Sequence, residues 1–552
     1  MDTHPEPAKT SLGRLGPWFI VLLVLLFVAF IRFRILDMPL ERDEGEYAYV
    51  GQLILQGIPP YQLAYNMKFP GTYLAYAAGM TVFGQTTAGI HATLLVVNSL
   101  TIVFMFLLGR KLLGTTAGLV ACAAYAIMSV SPTVFGMSTH ANHFVVLFAV
   151  PALLLLLAAL ESRRRRLLFA SGLLFGLAVL MKQQGAVFGF FAGAVLVWTA
   201  VRDRSARAVL LKNISSFAAG AVLPFALLCL ALARAGVFHQ FWFWTFVYAH
   251  SYVQIASWEN GWKLLLLHWH LGIPSSIGFW ALAVIGLAAG FADAGLRKKT
   301  FFIAMFWLFS FWGAATGLYF REQYFILVLP AFALLAGLAV VSLQKRFAGQ
   351  TSPSVIPLTL FIAVFGATVF FQRHYFFSMN GVQLSRTIYR GFPFVEAIAM
   401  ADYIRTHSAT DDRVAVLGSE PEIYFYSRRH SATGYIYTYP LMEPQPFAAQ
   451  MQREMIHEIE TNQPSYLVWV SFNNSWMVYP STPDTTIFHW FNDYAERAYE
   501  RVGVAQLRPD GTSALLWEDD AKNYKSAGEQ YVAVYKRRPP VETVSPGQRP
   551  AP

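Results

Sequence analysis

Long apolar stretches separated by short polar segments fill the first two thirds of the chain. From Trp18 to about Phe371 they reach about 18 residues or more, enough for a helix to cross a hydrocarbon core of about 30 Å. The pattern predicts about eleven spans, with centres near Leu25, Val97, Ala124, Leu153, Phe175, Val195, Leu227, Leu282, Phe309, Leu334 and Val364. Beyond Phe371 the pattern becomes that of an ordinary globular domain.

The basic residues of the short loops predict the orientation of these spans. They gather in alternate loops, namely Arg110, Lys111, Arg163 to Arg166, Arg202, Arg204, Arg207, Lys212, Arg297 to Lys299, Lys345 and Arg346. Basic residues in short loops stay on the cytoplasmic side. We therefore expect a cytoplasmic N-terminus and an extracytoplasmic C-terminal part. The first stretch lacks a small-residue cleavage site and is expected to remain as an anchor.

The last third of the chain predicts a small α/β domain. Its periodicity indicates two amphipathic helices, over 395–407 and 443–461. Short buried runs indicate four strands, over 414–417, 466–470, 514–517 and 531–535. The predicted fold is an α-helical polytopic membrane protein with a small C-terminal α/β domain. Its parts are a membrane domain over 1–372, an extracytoplasmic domain over 373–538 and a disordered, Pro-rich tail over 539–552.

Composition agrees with a membrane protein, because 55% of the residues are hydrophobic and only 13% are charged. The net charge of +10 does not indicate a nucleic-acid partner, since most of the basic residues occupy the loops described above. Both cysteines, Cys122 and Cys229, fall inside predicted spans. The exported domain therefore has no disulfide framework.

The first outward loop, 37–84, carries the most distinctive polar sequence, Glu41-Arg42-Asp43-Glu44-Gly45-Glu46-Tyr47-Ala48. Apolar residues at helical spacing follow it, and Gly57, Pro59 and Pro60 end the pattern, which predicts an amphipathic helix lying along the membrane surface. Asn66-Met67-Lys68-Phe69-Pro70-Gly71 then opens a second interfacial segment.

An acidic pair, a Tyr-Ala helix and a lysine-proline turn in this order resemble the GT-C glycosyltransferases, specifically glycosyltransferase family 39 and the related aminoarabinose transferases. The resemblance implies transfer of a sugar from a polyprenyl-phosphate donor to a protein, lipid or cell-envelope glycan, on the outer face of the cell membrane. We expect no cofactor; a divalent metal is the alternative. The resemblance also implies a catalytic role for Asp43, with its neighbour Glu44 as the second catalytic candidate. Glu44 also fits a solvated helix face.

Two of these residues have a second interpretation. Asp43 with Glu46 three residues later also fits a helix capping box. Lys68 fits either a ligand of the donor phosphate or an interfacial lysine that extends toward lipid headgroups. In the aminoarabinose transferases a glutamate and two prolines surround the lysine, whereas here Met67 and Phe69 flank it, so that particular substrate does not follow from the resemblance.

Further candidates lie at the ends of predicted spans, on the outer side. His140, Asn142 and His143 follow the third span and fit substrate contacts or interfacial packing; two histidines without a third ligand do not support a metal site. Lys182 and Gln183 end the fifth span, and Arg321 and Tyr324 begin the tenth. Polar groups at one depth predict one cavity, where these side chains would contact the donor phosphate.

Two other classes of protein remain alternatives. A transporter or flippase of lipid-linked saccharides would also have many spans and a polar outer cavity. Transporters commonly show paired repeats and ionisable residues inside spans, and neither feature is evident in this sequence. A scaffold that binds wall components would leave the acidic first loop without a role.

Overall fold

The computed structural model describes residues 11–347, 355–479, 482, 484–508, 511–526, 528 and 530–539. The chain divides into two compact units, Met1–Arg390 and Gly391–Pro552. The predicted domain boundary at residue 372 falls inside the first of these units. Most of the predicted C-terminal tail, from residue 540 onward, lies outside the described residues.

The described residues of the first unit form helices joined by turns and loops. Its helices are α1 (Ser11–Phe33), α2 (Arg42–Leu55), α3 (Gly71–Phe83), α4 (Thr87–Leu113), α5 (Thr115–Met128), α6 (Ala141–Ser162), α7 (Arg165–Met181), α8 (Ala186–Arg202), α9 (Arg207–Arg234), α10 (Phe238–Trp242), α11 (Ala249–Ile255), α12 (Trp258–Ala292), α13 (Arg297–Ala315), α14 (Leu329–Arg346), α15 (Val355–Phe371), α16 (Arg373–Phe377) and α17 (Gly381–Ile388). Three short 3₁₀ turns, Pro132–Val134, Gln183–Gly185 and Glu322–Leu327, and a π-helical segment, Phe243–Tyr248, connect them.

Six of these helices are long and apolar enough to cross a membrane: α1, α4, α6, α9 and α14, together with α8 and the turn before it. Shorter apolar helices are α5, the Ser276–Ala292 part of α12, and α15. Each of the predicted span centres lies within a helix, including α7 and α13. The exact number of membrane crossings stays a prediction.

Glycines bring α7 and α9 into backbone contact. A Cβ at Gly172 would lie 2.1 Å from the carbonyl oxygen of Phe217, and one at Gly176 would lie 2.3 Å from that of Ala221. On the facing helix, a Cβ at Gly220 would lie 2.1 Å from the carbonyl oxygen of Phe169. Small residues spaced four apart allow helices to approach this closely in a bilayer. Packing matters there because burial of apolar surface does not drive helices to associate in lipid.

The second unit contains a six-stranded sheet of order β2-β1-β3-β6-β4-β5. Its strands are β1 (Arg413–Leu417), β2 (His430–Ser431), β3 (Tyr466–Val470), β4 (Tyr499–Leu507), β5 (Ser513–Trp517) and β6 (Tyr531–Arg537). The β1 strand pairs in parallel with β2 and β3, and the remaining pairs are antiparallel. The helices of this unit are α18 (Phe394–Thr406), α19 (Glu422–Ser427), α20 (Tyr439–Met442), α21 (Ala448–Asn462), α22 (Asn473–Trp476), α23 (Thr486–Ala498) and α24 (Glu518–Lys522).

The predicted helices and strands of the C-terminal region correspond to α18, α21, β1, β3, β5 and β6. The sequence prediction missed β4, the longest strand. Its first residues, Tyr499-Glu500-Arg501, are polar for a strand, and Gly503 interrupts the apolar alternation. The strand lies between β5 and β6, so hydrogen bonding to both neighbours compensates for the weak β-strand preference of its residues.

Candidate active site

The N-terminus of α2 is capped by Glu41. The Glu44 amide donates to Glu41 Oε1 at 3.0 Å, and the Glu41 amide donates to Glu44 Oε2 at 3.2 Å. This is a reciprocal capping box that starts two residues earlier than predicted. The interpretation of Asp43 as the N-cap is therefore wrong, because the helix has already begun at Arg42.

The α2 helix is buried on most of its surface, including Glu44 and Glu46, whose side chains are fully buried. The prediction of an amphipathic helix on the membrane surface is wrong in this respect. The reason is that both carboxylates have polar partners inside the fold. Glu46 accepts hydrogen bonds from Tyr73 and Lys68, and Glu44 is hydrogen-bonded to His91 Nε2.

Asp43 forms an ion pair with Lys68, whose Nζ lies 2.7 Å from Asp43 Oδ1 and 2.5 Å from Glu46 Oε2. Asp43 keeps 24% of its side-chain surface exposed and Lys68 keeps 20%. The Tyr61 hydroxyl donates to the Lys68 carbonyl at 2.6 Å, which fixes the turn that carries the lysine. The Lys68 side chain is thus directed to carboxylates rather than to lipid headgroups.

Asp43 and the neighbouring Glu41 have different pKa values because their surroundings differ. Burial alone would raise the pKa of Asp43, but the ammonium of Lys68 outweighs it and holds that pKa well below its usual range. Burial, with the nearby charge of Asp43, raises the pKa of Glu41 well above its usual range. Asp43 is therefore a carboxylate at neutral pH, whereas Glu41 has a tendency to hold a proton.

Two further cations face Asp43 from other helices. Lys182 Nζ lies 4.2 Å from the centre of the Tyr324 ring and donates to Asn142 Oδ1 at 3.0 Å. Burial lowers the pKa of Lys182 to about 7. Arg321 lies over the Tyr319 ring at 5.8 Å, and the charge of Asp43 acts on it as well. The start of α6, the end of α7 and the 3₁₀ turn Glu322–Leu327 thus meet at one place. Contact of these side chains with a donor phosphate stays a prediction.

Gln183, His140 and His143 have different positions relative to the charged group around Asp43. Gln183 Nε2 donates to the Met67 carbonyl at 2.7 Å, so it secures the turn that carries Lys68. His140 Nδ1 lies 3.5 Å from Glu41 Oε1, and burial lowers the pKa of His140 to about 4, which leaves it neutral. His143 is buried inside α6.

One group of three side chains in the described part of the chain could hold a metal ion: Glu41, Asp43 and His140, whose ligand atoms lie within 4.8 Å of one another. Two carboxylates and an imidazole are a donor set that suits a divalent ion. Lys68 already neutralises Asp43, however, so a metal would have to compete with its ammonium. His143 does not belong to this group.

Several residues that shape the site had no role in the sequence analysis, among them Tyr73, Tyr76, His91 and Tyr389. The Tyr389 hydroxyl lies 2.7 Å from Ser138 Oγ and 3.5 Å from His140 Nε2. In the sequence, these residues are only isolated tyrosines and a histidine among apolar neighbours. Aromatic residues are common at membrane interfaces whether or not they belong to a site. Their contacts with the site could therefore be found only in the structure.

Comparisons with known proteins give one matching family profile and several similar folds. Residues 68–228 match the family profile described as dolichyl-phosphate-mannose-protein mannosyltransferase. ArnT from Cupriavidus metallidurans, solved bound to undecaprenyl phosphate, has 15% identity and a TM-score of 0.58, and the match covers 94% of this chain and 98% of that chain. The oligosaccharyltransferase AglB from Archaeoglobus fulgidus, solved with an inhibitory peptide and a dolichol-phosphate, has 12% identity and a TM-score of 0.53, covering 92% and 75%. No curated protein matches the sequence.

At these identities the structural likeness shows the fold, which this chain shares with ArnT and AglB. The chain resembles the mannosyltransferase family over residues 68–228 and ArnT over nearly its whole length.

Proposed function

We propose that this protein transfers a hexosyl or pentosyl group from a polyprenyl-phosphate donor to a protein, lipid or glycan acceptor on the outer face of the cell membrane. One observation carries the proposal: the partly exposed carboxylate of Asp43 pairs with Lys68 and lies within electrostatic reach of Lys182 and Arg321, which follow helices of the first unit. A carboxylate beside several cations can handle a proton and an anionic leaving group in the same place.

In the proposed reaction, the cations act on the leaving phosphate and Asp43 acts on the acceptor proton. The acceptor nucleophile attacks the anomeric carbon, and the bond from that carbon to the phosphate oxygen breaks. The electron pair of this bond leaves with the carrier phosphate, whose growing charge Lys68, Lys182 and Arg321 stabilise. The acceptor proton passes to Asp43, and attack opposite the leaving group inverts the anomeric centre.

Donor binding also adjusts Asp43 for this role. While Lys68 is paired with it, Asp43 is a weak base, because its pKa lies well below the usual range. A donor phosphate that shares the Lys68 ammonium weakens the ion pair, so the pKa of Asp43 rises toward its ordinary value. Asp43 then becomes a better proton acceptor when the donor is in place.

Tyr324 and Asn142 support the cation that faces Asp43 from α7. The Tyr324 ring lies against Lys182 Nζ, and Asn142 accepts from the same atom. Both are placed to hold the ammonium toward a phosphate rather than toward bulk lipid. The acidic residue Glu44 was also predicted to be catalytic; its complete burial favours a supporting role, which is developed below.

The test is a turnover assay with purified protein in detergent or nanodiscs. The protein is offered polyprenyl-phosphate sugars of several kinds together with candidate acceptors, and free polyprenyl phosphate is measured. The proposal expects carrier phosphate to be released in step with a glycosylated acceptor. A flippase would instead move the intact lipid-linked sugar between leaflets and release none, which would contradict the proposal.

A further inference from the structure

His91 lies on α4 behind the site and is 4% exposed. Its Nδ1 is 2.9 Å from the carbonyl oxygen of Leu36, and its Nε2 is 3.1 Å from Glu44 Oε1. A carbonyl oxygen can only accept a hydrogen bond, so Nδ1 must carry a proton. The proton count on Nε2 then depends on whether Glu44 is ionised.

The other partners of Glu44 answer that question. Glu44 Oε1 also accepts from the Thr139 amide at 2.5 Å, and Oε2 accepts from the Glu41 amide at 3.2 Å. Both backbone amides donate to this carboxyl group, as they would to a carboxylate. With Glu44 ionised, His91 donates from both nitrogens as an imidazolium and forms a buried, charge-assisted pair with it.

The pair acts on the peptide that precedes His140. The amide of Thr139 is bound by Glu44, and its carbonyl oxygen accepts from the Tyr76 hydroxyl at 2.7 Å. Two side chains from two different helices, α2 and α3, thus hold one peptide unit from both sides. The next residue, His140, stands 3.5 Å from Glu41 and within the electrostatic reach of Asp43.

We propose that His91 and Glu44 are positioning residues, which hold His140 against the Glu41 and Asp43 edge of the site through the Thr139 peptide. The proposal rests on the proposed function for its effect on rate, but the placement itself is independent of it. Neither residue touches the cations assigned to the donor phosphate. Loss of the pair should therefore slow the chemical step and leave donor binding intact.

The kinetic test uses His91→Leu, His91→Gln and Tyr76→Phe, with kcat and the donor KM normalised to folded protein. A displacement of about 1 Å remote from the chemistry can cost about a hundredfold in rate. We expect kcat to fall about 10- to 100-fold in His91→Leu, with the donor KM within about threefold of the parent. His91→Gln, which keeps a donor for Glu44, should recover part of the rate.

Thr101→Val is the matched control, because Thr101 is buried on the same helix and its hydroxyl donates to the Val97 carbonyl within that helix. It should keep the parental kcat and KM. Tyr76→Phe keeps its shape and removes only the hydroxyl, so it carries the test if His91→Leu does not fold. A kcat within about threefold of the parent in the folded variant would overturn the proposal, as would a rise in KM that equals the fall in kcat.

A second measurement separates this proposal from the proposed function. In ¹⁵N-histidine NMR of the full chain, the parent should show one buried histidine protonated on both ring nitrogens, and that signal should vanish in His91→Leu. The His140 signal should shift in His91→Leu and not in Thr101→Val. A neutral His91, or an unmoved His140, contradicts the positioning role even if the parent releases no carrier phosphate; an inactive parent with the expected spectra contradicts only the proposed function.

Discussion

At the scale of single residues, the site places buried carboxylates near cations that come from three separate parts of the chain. Asp43 and Lys68 come from the predicted first outward loop, but their ion pair was not predicted, because Lys68 was expected at the donor phosphate or at lipid headgroups. Lys182 and Arg321 lie far along the chain, and only their common depth at span ends suggested one cavity. The partners Glu41, His91 and Tyr76 were not predictable, because short patterns do not show which buried side chains meet.

Removing the donor-phosphate cations should weaken donor binding. We expect Lys68→Ala and Arg321→Ala each to raise the apparent donor KM or Kd about 10-fold or more, since a charge-assisted hydrogen bond contributes about 1.5 to 3 kcal/mol. Binding of polyprenyl phosphate to the purified variants measures this. Lys263→Ala, at a pair exposed to solvent, is the control. Unchanged affinity in both site variants would refute the phosphate assignment.

Donor affinity should also depend on pH through Lys182, whose pKa burial lowers to about 7. Below that pH the side chain is an ammonium that attracts phosphate, and above it the amine is neutral, so affinity should fall as the pH rises. A bound phosphate favours the ammonium and moves the midpoint of the complex upward. Lys182→Arg, which stays charged, should remove this step between about pH 6 and pH 9. A parent whose affinity is flat over this range would contradict the prediction.

At the scale of secondary structure, apolar length and periodicity were sufficient to find most helices and several strands. They were not sufficient to assign their environment. The α2 helix was expected on the membrane surface because apolar residues at helical spacing follow its acidic cluster, yet Glu44 and Glu46 are buried against His91, Lys68 and Tyr73. Burial of an acid depends on partners distant in sequence, and hydropathy carries no information about them.

The contact between α7 and α9 should depend on its glycines. Gly172→Ala places a Cβ where the Phe217 carbonyl oxygen already lies, so the helices must separate. We expect a loss of about 1 to 3 kcal/mol of stability, seen as a lower thermal midpoint in detergent. Gly189→Ala on α8 is the control, since nothing lies within 4 Å of its added Cβ. An equal midpoint for the two variants would argue against this packing.

At the scale of the whole molecule, a membrane-embedded helical unit and a separate α/β unit share one chain. The distribution of basic loop residues predicts that the second unit and the loop that carries Asp43 are both outside the cytoplasm. Accessibility labelling of intact cells or spheroplasts checks this. Tags at the C-terminus should react from outside, and tags near Arg164 should react only after the membrane is permeabilised. The reverse pattern would place the site on the cytoplasmic side and refute the proposed reaction there.

The catalytic role of Asp43 is the central claim, and the turnover of Asp43→Asn tests it most directly. The substitution keeps the size of the side chain and removes its negative charge, and Glu41 still caps the helix, so folding should be preserved. Loss of a general base typically costs about a hundredfold to ten-thousandfold in rate. Release of polyprenyl phosphate by the folded variant should fall by that amount at saturating donor. Turnover within about threefold of the parent would contradict the account.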